Sequence, residues 1–264
     1  MLGMIGCGNM AQAMLKGILA KGLYKCSQVI VSRRNTDALK LIADELSVRT
    51  TTDNAEVAGQ ADVLILAVKP AQFADVIPEI RDVVKKDALI ISIAAGKTIE
   101  DIEALFGRTV KVVRTMPNTP ALVLEGATGM CFNSQVTEQE RGQAVALCES
   151  FGIVAVVPEK MIDTIIGVSG SSPAYVFMMI EAMADAAVAD GMPRGQAYEL
   201  AAQAVMGSAK MVLETGRHPG DLKDMVCSPG GTTIEAVRVL EKRGFRSALI
   251  EGQMACVKKA KEMG

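Results

Sequence analysis

Two stretches of this 264-residue chain combine residue types and spacings that could do chemistry. The first is Asp221–Thr233, DLKDMVCSPGGTT: a short helical turn over Asp221–Val226, a Ser-Pro-Gly-Gly bend at Ser228–Gly231, and Thr232 and Thr233 opening a new helix. Gly230 and Gly231 remove side chains where the backbone must bend or a ligand must approach. The first N–H groups of a helix face outward without intrahelical partners, and with a hydroxyl beside them they suit a small carboxylate. A plain Pro-Gly turn with a threonine cap would use the same residues. The second stretch is Gly6-Cys7-Gly8-Asn9-Met10-Ala11, a GxGxxA pattern between the apolar run Met1–Ile5 and a helix expected to end at Gly22. Gln28–Ser32 (QVIVS) reads as the next strand. The unit is therefore βαβ, the setting in which the first glycine makes a tight turn and the second lets backbone approach a pyrophosphate; Ala11 keeps helix and strand close. A glycine-rich turn without a ligand is the plainer alternative.

The end of the second strand bears on which dinucleotide such a turn would take. A site for NAD usually has Asp or Glu there, bonding the ribose 2′-hydroxyl. This chain has Ser32-Arg33-Arg34-Asn35. Ser32 can bond a 2′-phosphate and an arginine can pair with it, so NADPH is expected to be preferred over NADH, which remains usable. A solvated basic turn is the alternative. Other charged residues attract less weight. Lys69 precedes Pro70 at a strand end, where it would position cofactor phosphate or ribose rather than act as an acid. Glu181 and Asp185 stand one turn apart and read as a solvated or interface edge rather than an acid–base pair. His218, the chain's one histidine, lies in Arg217-His218-Pro219-Gly220 and reads as a turn residue. Tyr175 reads as packing.

Elements must position these groups. Further strands are expected at Arg49, within Ala61–Val68 (VLILAV), and over Ala88–Ile93, Val110–Arg114, Ala127–Phe132 and Ile153–Val157, with helices between them, one over about Thr137–Phe151. Continuous apolar strands imply a mainly parallel sheet covered on both faces, with ligands beyond the strands' carboxyl ends. Those ends are Gly6–Ala11, Ser32–Arg34, Ala67–Pro70, Ala94–Gly96 and Met116–Asn118. After Pro158 strand signals cease. Helices are expected over Lys160–Val168, Pro173–Asp190 with Ser172 as N-cap, Pro193–Thr215, Thr232–Arg243 and Arg246–Glu262. The expected fold is an α/β Rossmann-type domain over residues 1–158 and an all-α domain over 159–264. Pro173–Asp190 is apolar nearly all round, as a helix buried on every side would be. A domain of this size has little room to bury such helices alone, so dimerisation through them is expected.

Composition excludes several function classes. Aromatics are 3% with no Trp, and net charge is −2, so neither base-stacking platforms nor a basic nucleic-acid footprint are present. The six cysteines are scattered without a CxxC pair, which reads as reduced thiols in a cytoplasmic protein, with no metal site. Met1 leads directly into a strand-like run, so no signal peptide is expected, and Gly or charge interrupts each apolar run before about 18 residues, so no membrane span is expected.

In order along the whole chain, IGCGNMA (5–11), AVKP (67–70), IAAG (93–96), RTMPNTP (114–120), GSSPAYVF (170–177) and LKDMVCSPGGTTIEAV (222–237) resemble the pyrroline-5-carboxylate reductase family. One departure is Ser172, where many members carry glycine. The resemblance implies reduction of 1-pyrroline-5-carboxylate to L-proline by hydride transfer from NAD(P)H, the last step of proline synthesis, by a homodimer that in the family often assembles further into decamers. It places cofactor against Gly6–Ala11, Ser32, Asn54 and Ala67–Pro70, with nicotinamide near Ala94, Ala95 and Gly96 and near Met116, Pro117 and Asn118. The substrate carboxylate would meet backbone N–H groups of Gly230, Gly231 and Thr232. Ser228 would shape the loop or bond the carboxylate, and the Thr233 hydroxyl would reach the ring nitrogen as the catalytic, orienting group. Two rivals share the cofactor half: another NADPH-linked reductase of small imino or keto acids, which for a ketone needs an essential acid, and a non-enzymatic NADPH sensor.

Overall fold

The computed structural model describes residues 1–263. Eight strands form one sheet in the order β3-β2-β1-β4-β5-β6-β7-β8: β1 (Leu2–Ile5), β2 (Val29–Ser32), β3 (Arg49–Thr51), β4 (Val63–Leu66), β5 (Leu89–Ser92), β6 (Lys111–Met116), β7 (Gly126–Phe132) and β8 (Gly152–Val156). Every expected strand is present. All neighbours pair parallel except β6 and β7. The link between those two, residues 117–125, is shorter than the dozen or so residues a parallel crossover needs, so β7 returns antiparallel.

Helices α1 (Asn9–Ala20), α2 (Thr36–Leu46), α3 (Asn54–Gln60), α4 (Phe73–Ile80), α5 (Ile99–Phe106) and α6 (Glu138–Glu149) cover this sheet. The central strands β1, β2, β4 and β5 are buried at every position and almost wholly apolar, because both faces of the sheet are covered. In β4, Val63 and Ile65 enter one core with Met14, Leu15 and Ile18 of α1, while Leu64 and Leu66 enter the other with Phe73, Ile77 and Ile80 of α4. The chain leaves β1 toward β2 and β3 and resumes on its other side with β4, so a topological switch lies between β1 and β4, where strand ends leave room for a ligand.

The chain divides into two compact units, Met1–Ser171 with the chain's end from Cys256, and Ser172–Ala255. Helix α7 (Ile162–Ile165) belongs to the first. The second holds α8 (Ser172–Ala189), α9 (Arg194–Thr215), α10 (Pro219–Met225), α11 (Thr232–Lys242) and the start of α12 (Phe245–Met263). Helices α8 and α9 pack together, and the buried residues on them are the small ones, Ala184, Ala197 and Ala201.

Two expectations are corrected in the structure. Residues Ser169–Ser172 are not a break with a serine cap: α7 runs on through a π-helical turn at Ile166–Gly170, closed by Ser171 N–H donating to Ile166 O at 2.8 Å, and α8 already includes Ser172. Pro173 has no N–H for the carbonyl four residues back, that of Ser169, and that carbonyl instead accepts from the Asn118 amide at 2.9 Å. In the single chain α8 keeps an uncovered apolar surface, in keeping with the dimerisation expected through it: Phe177 and Met178 are 63% and 68% exposed. Second, apolar runs are not all interrupted before about 18 residues: the helical run Glu159–Ala189 contains a stretch of mean hydropathy 1.2 and is long and apolar enough by length and composition to cross a membrane. Gly170 and Pro173 read as interruptions in the sequence, but the helical turns continue through them.

Candidate active site

The glycine turn after β1 is fixed by two amides. Gly6 N–H and Cys7 N–H both donate to Ser32 O, at 3.0 and 3.1 Å, and Ala67 N–H donates to Ile5 O at 2.8 Å. These bonds gather the ends of β1, β2 and β4. Gly6 has φ +90°, and a Cβ there would lie 2.6 Å from Val68 Cγ1 and 2.8 Å from Val68 N, so only glycine fits. Gly8 is different: its φ is −88° and a Cβ would meet nothing within 4 Å. It caps α1 with no side-chain bond, and the first turn carries no acid. The N–H groups of that turn therefore face an open approach, the arrangement that receives a pyrophosphate. Asn9 is exposed, Met10 half-buried and Ala11 buried. The Cys7 thiol is buried, and burial pushes it up to about 12 although Arg33 nearby pulls the other way. It stays a neutral thiol that packs the turn.

At the end of β2, Ser32 is fully buried, and its hydroxyl donates to Asn54 Oδ1 at 2.7 Å. Asn54 opens α3, and its Nδ2 donates to Glu79 Oε2 of α4 at 2.9 Å. Arg33 is half-buried and donates to Cys7 O at 3.1 Å, so its guanidinium lies against the glycine turn; Arg34 is exposed. After β4, Ala67 and Val68 are half-buried, the Lys69 side chain is exposed, and Pro70 opens a short 3₁₀ turn. After β5, Ala94 is buried, Ala95 half-buried, and Gly96 turns the chain with φ +70°. After β6, Met116 is half-buried and Pro117 buried. Asn118 is 7% exposed and its amide is engaged on both sides, donating to Ser169 O and accepting from Ala127 N at 2.8 Å. Its side chain is occupied by the fold, which leaves backbone to face a ligand. The unit thus brings every expected cofactor residue to the carboxyl ends of β1, β2, β4, β5 and β6 or to the start of α3. Glu79 is an addition: it sits on a surface helix, with no local signal marking it.

In the second unit, Ser228 O accepts from Gly231 N at 3.0 Å, closing a turn with Pro229 second and Gly230 third at φ +67°. That is the pairing a type II turn requires. Of the three backbone donors expected for a carboxylate, Gly231 N–H is thus engaged within the turn, while Gly230 and Thr232 remain. Gly231 is the cap of α11, without a side-chain cap bond, so the helix does not begin with a threonine cap. A Cβ on Gly231 would stand 3.1 Å from both Ser228 O and Ser228 Oγ. Thr232 and Thr233 are exposed. Glu235, in the first turn, would oppose an anion, but Arg238 holds it through two bonds, 2.9 and 2.5 Å, and lowers its pKa. His218 caps α10: its Nδ1 accepts from Gly220 N at 3.0 Å, so it serves as the turn residue expected. Asp185 pairs with Arg194, and Glu181 is exposed.

Comparison with known proteins agrees with both halves. Residues 159–263 match a family described as pyrroline-5-carboxylate reductase dimerisation, which supports dimer formation, and residues 1–96 match one described as NADP oxidoreductase, coenzyme F420-dependent. The chain is 51% identical to pyrroline-5-carboxylate reductase of Escherichia coli, over 99% of this chain and 97% of that one. Among solved structures, the pyrroline-5-carboxylate reductase of Coxiella burnetii superposes with a TM-score of 0.93 at 39% identity, covering 100% of this chain and 98% of that one. That of Plasmodium falciparum, with NADP bound, superposes at 0.90 with 32% identity, covering 100% and 97%. At these identities along the whole length, this chain belongs to the pyrroline-5-carboxylate reductase family.

Proposed function

We propose that this protein reduces 1-pyrroline-5-carboxylate to L-proline with NAD(P)H, and that two glycine-initiated helix starts, those of α1 and α11, divide the work. The observation that carries the division is that α1 and α11 both begin from glycine with no side-chain cap, leaving N–H donors for an anion. The cofactor is held by Gly6, Cys7, Gly8, Asn9, Met10 and Ala11 at its pyrophosphate, by Ser32, Arg33, Arg34 and Asn54 around the ribose, and by Ala67–Pro70, Ala94–Gly96 and Met116–Asn118 toward the nicotinamide. The open space at Gly8 fits such a group. When bound, the reduced nicotinamide supplies the hydride.

The substrate is a cyclic imine whose nitrogen is protonated in solution, so it is already an electrophilic iminium. Reduction forms a C–H bond at C5 while the C=N π pair moves onto nitrogen, giving the secondary amine with its proton already in place. Such a reaction needs placement more than a strong acid. The carboxylate is received by the N–H groups of Gly230 and Thr232, with Ser228 shaping the turn, and Thr233 orients the ring nitrogen through its hydroxyl. NADPH is the preferred donor, supported by arginines 33 and 34 in a β2 terminus that lacks an acid.

We assign cofactor binding to residues 1–158 and dimerisation and substrate binding to 159–264, a division supported by the match beginning at 159. The exposed apolar face of α8 and the run Glu159–Ala189 meet a second copy rather than lipid, and a pentamer of such dimers completes the assembly; light scattering tests both. Six free thiols support a cytoplasmic setting. The functional test follows reduced-nicotinamide absorbance with 1-pyrroline-5-carboxylate as acceptor. Thr233→Ala should lower kcat/KM for the imine about tenfold or more, with Thr233→Ser restoring much of it. Full activity of Thr233→Ala at limiting substrate removes Thr233 from the mechanism.

A further inference from the structure

The expectation of NADPH preference rests on the absence of an acid in β2, yet the fold brings one to the same edge. We propose that Glu79 is a specificity-determining residue that restrains the preference for NADPH, acting through Asn54 on the pocket for the ribose 2′-group. The inference rests on the reading above that the ribose lies at the end of β2.

Hydrogen-bond polarity carries the argument. At neutral pH a carboxylate only accepts, so the Asn54 atom facing Glu79 at 2.9 Å must be Nδ2. Asn54 Oδ1 then faces Ser32 Oγ at 2.7 Å, and because that amide oxygen only accepts, the Ser32 hydroxyl must donate to it. Ser32 is fully buried, so its one proton is committed inward. One charge on α4 thus orients an amide on α3 and a hydroxyl on β2. The serine is left with no proton to offer a 2′-phosphate. The same carboxylate adds negative charge one amide away from Ser32. Arg33 and Arg34 pull the other way, and Arg33 is already bonded to Cys7 O. The balance between them, rather than the arginines alone, sets the cofactor ratio.

Glu79→Gln tests this with little risk to the fold, since Glu79 is exposed and the change preserves shape. Gln can donate or accept, so the Asn54 amide is free to turn over and release the Ser32 proton. Dissociation constants for NADPH and NADH would be measured on the free enzyme from nicotinamide fluorescence, which the chain's lack of tryptophan leaves unobscured. The expected result is a shift of the NADH-to-NADPH ratio of dissociation constants toward NADPH by about 3- to 10-fold, shrinking as salt is raised. Glu79→Ala, which removes both the charge and the amide's partner, should move the ratio in the same direction. An unchanged ratio overturns the proposal, as does equal weakening of both cofactors with a lowered unfolding temperature, which marks a purely structural contact. Arg33→Ala and Arg34→Ala separate this from the underlying reading: if either lowers NADPH affinity while both Glu79 variants leave the ratio alone, only the role of Glu79 falls. If no variant moves the ratio, the ribose does not lie at this edge and both fall.

Discussion

The two glycines of the GxGxxA turn should respond oppositely to the same added methyl group. At Gly6, alanine would have to adopt φ near +90°, which costs a side-chain-bearing residue about 1–2 kcal/mol. Its Cβ would press on Val68 N at 2.8 Å and Ala67 C at 2.9 Å, backbone atoms that cannot step aside, adding about 1–3 kcal/mol. The sum, about 2–5 kcal/mol, should lower the unfolding temperature by on the order of 10 °C in a chain this size. At Gly8 the backbone is at φ −88°, and a methyl group meets nothing within 4 Å, so Gly8→Ala should stay within about 0.5 kcal/mol of the parent. Its methyl group would stand instead where a pyrophosphate approaches the N–H groups of α1. Cofactor affinity should fall about 10- to 100-fold, equivalent to about 1.4–2.7 kcal/mol. Calorimetry and nicotinamide-fluorescence titration on both variants read the two effects separately. If Gly8→Ala binds NADPH as tightly as the parent, the cradle is not at this turn. If Gly6→Ala unfolds at the parental temperature, the packing argument at Val68 is wrong.

Three further outcomes follow from the interior. Asn118→Ala leaves the Ser169 carbonyl and the Ala127 N–H without their partner and should cost about 2–4 kcal/mol in urea unfolding, with Asn118→Asp recovering only the bond to Ala127. Arg114, 3% exposed, bonds Glu159 at 3.1 Å and Asp163 at 3.4 Å, so Arg114→Met strands two carboxylates and should cost about 3–5 kcal/mol, which adding Glu159→Gln would partly return. Burial raises the thiols of Cys7 and Cys148 to about 12 and that of Cys131 to about 11 from an ordinary 9.0. The unfolded chain therefore loses these protons first, and stability should fall as pH rises above 9, by up to about 1.4 kcal/mol per unit for each thiol. Under reducing conditions, Cys148→Ala should flatten that slope, and a slope unchanged by the substitution would contradict it.

What was legible in the sequence was local. Runs such as Val63–Leu66 announce a buried strand because each residue must be apolar when both faces are covered. The turn at Gly6–Gly8 and the start of α11 at Thr232 are likewise written in consecutive residues. What was not legible depends on distant partners. Arg114 is a buried charge in the middle of β6 and is explained only by Glu159 and Asp163, 45 and 49 residues later. Glu79 is one carboxylate among many on helix surfaces until α3 and α4 pack and bring it to Asn54. The turn at Ile166–Gly170 misled for a different reason: Gly170 and Pro173 look like punctuation, but a π-helical turn and the Asn118 amide accommodate the lost backbone bond. The apolar surround of α8 was legible as something that one small domain could not cover alone, and Phe177 and Met178 are accordingly exposed in the single chain.

A contrast among helix starts explains why two of them are suited to ligands. Helices α2, α3, α5 and α6 are closed by side-chain oxygens of Asn35, Asp53, Thr98 and Thr137, each accepting from a first-turn N–H. A helix closed in this way has already used its best donors, and in all four an acid in the first turn opposes an incoming anion, in α5 and α6 also completing the cap. Helices α1 and α11 give up part of that stabilisation, on the order of a few tenths of a kcal/mol, by starting from glycine. In α1 no acid stands in the first turn, and in α11 the one that does is tied to Arg238. Helices α4, α7 and α9 also lack a side-chain cap bond, so a missing cap alone does not mark a ligand site. Losing it at both places where backbone also turns through a positive-φ glycine, Gly6 and Gly230, is better explained by anions that supply the missing cap. Each ligand should then stabilise its own helix start, so NADPH should protect the amides of Asn9–Ala11 from hydrogen exchange and proline those of Thr232–Ile234. Protection of neither set on saturation would refute this account.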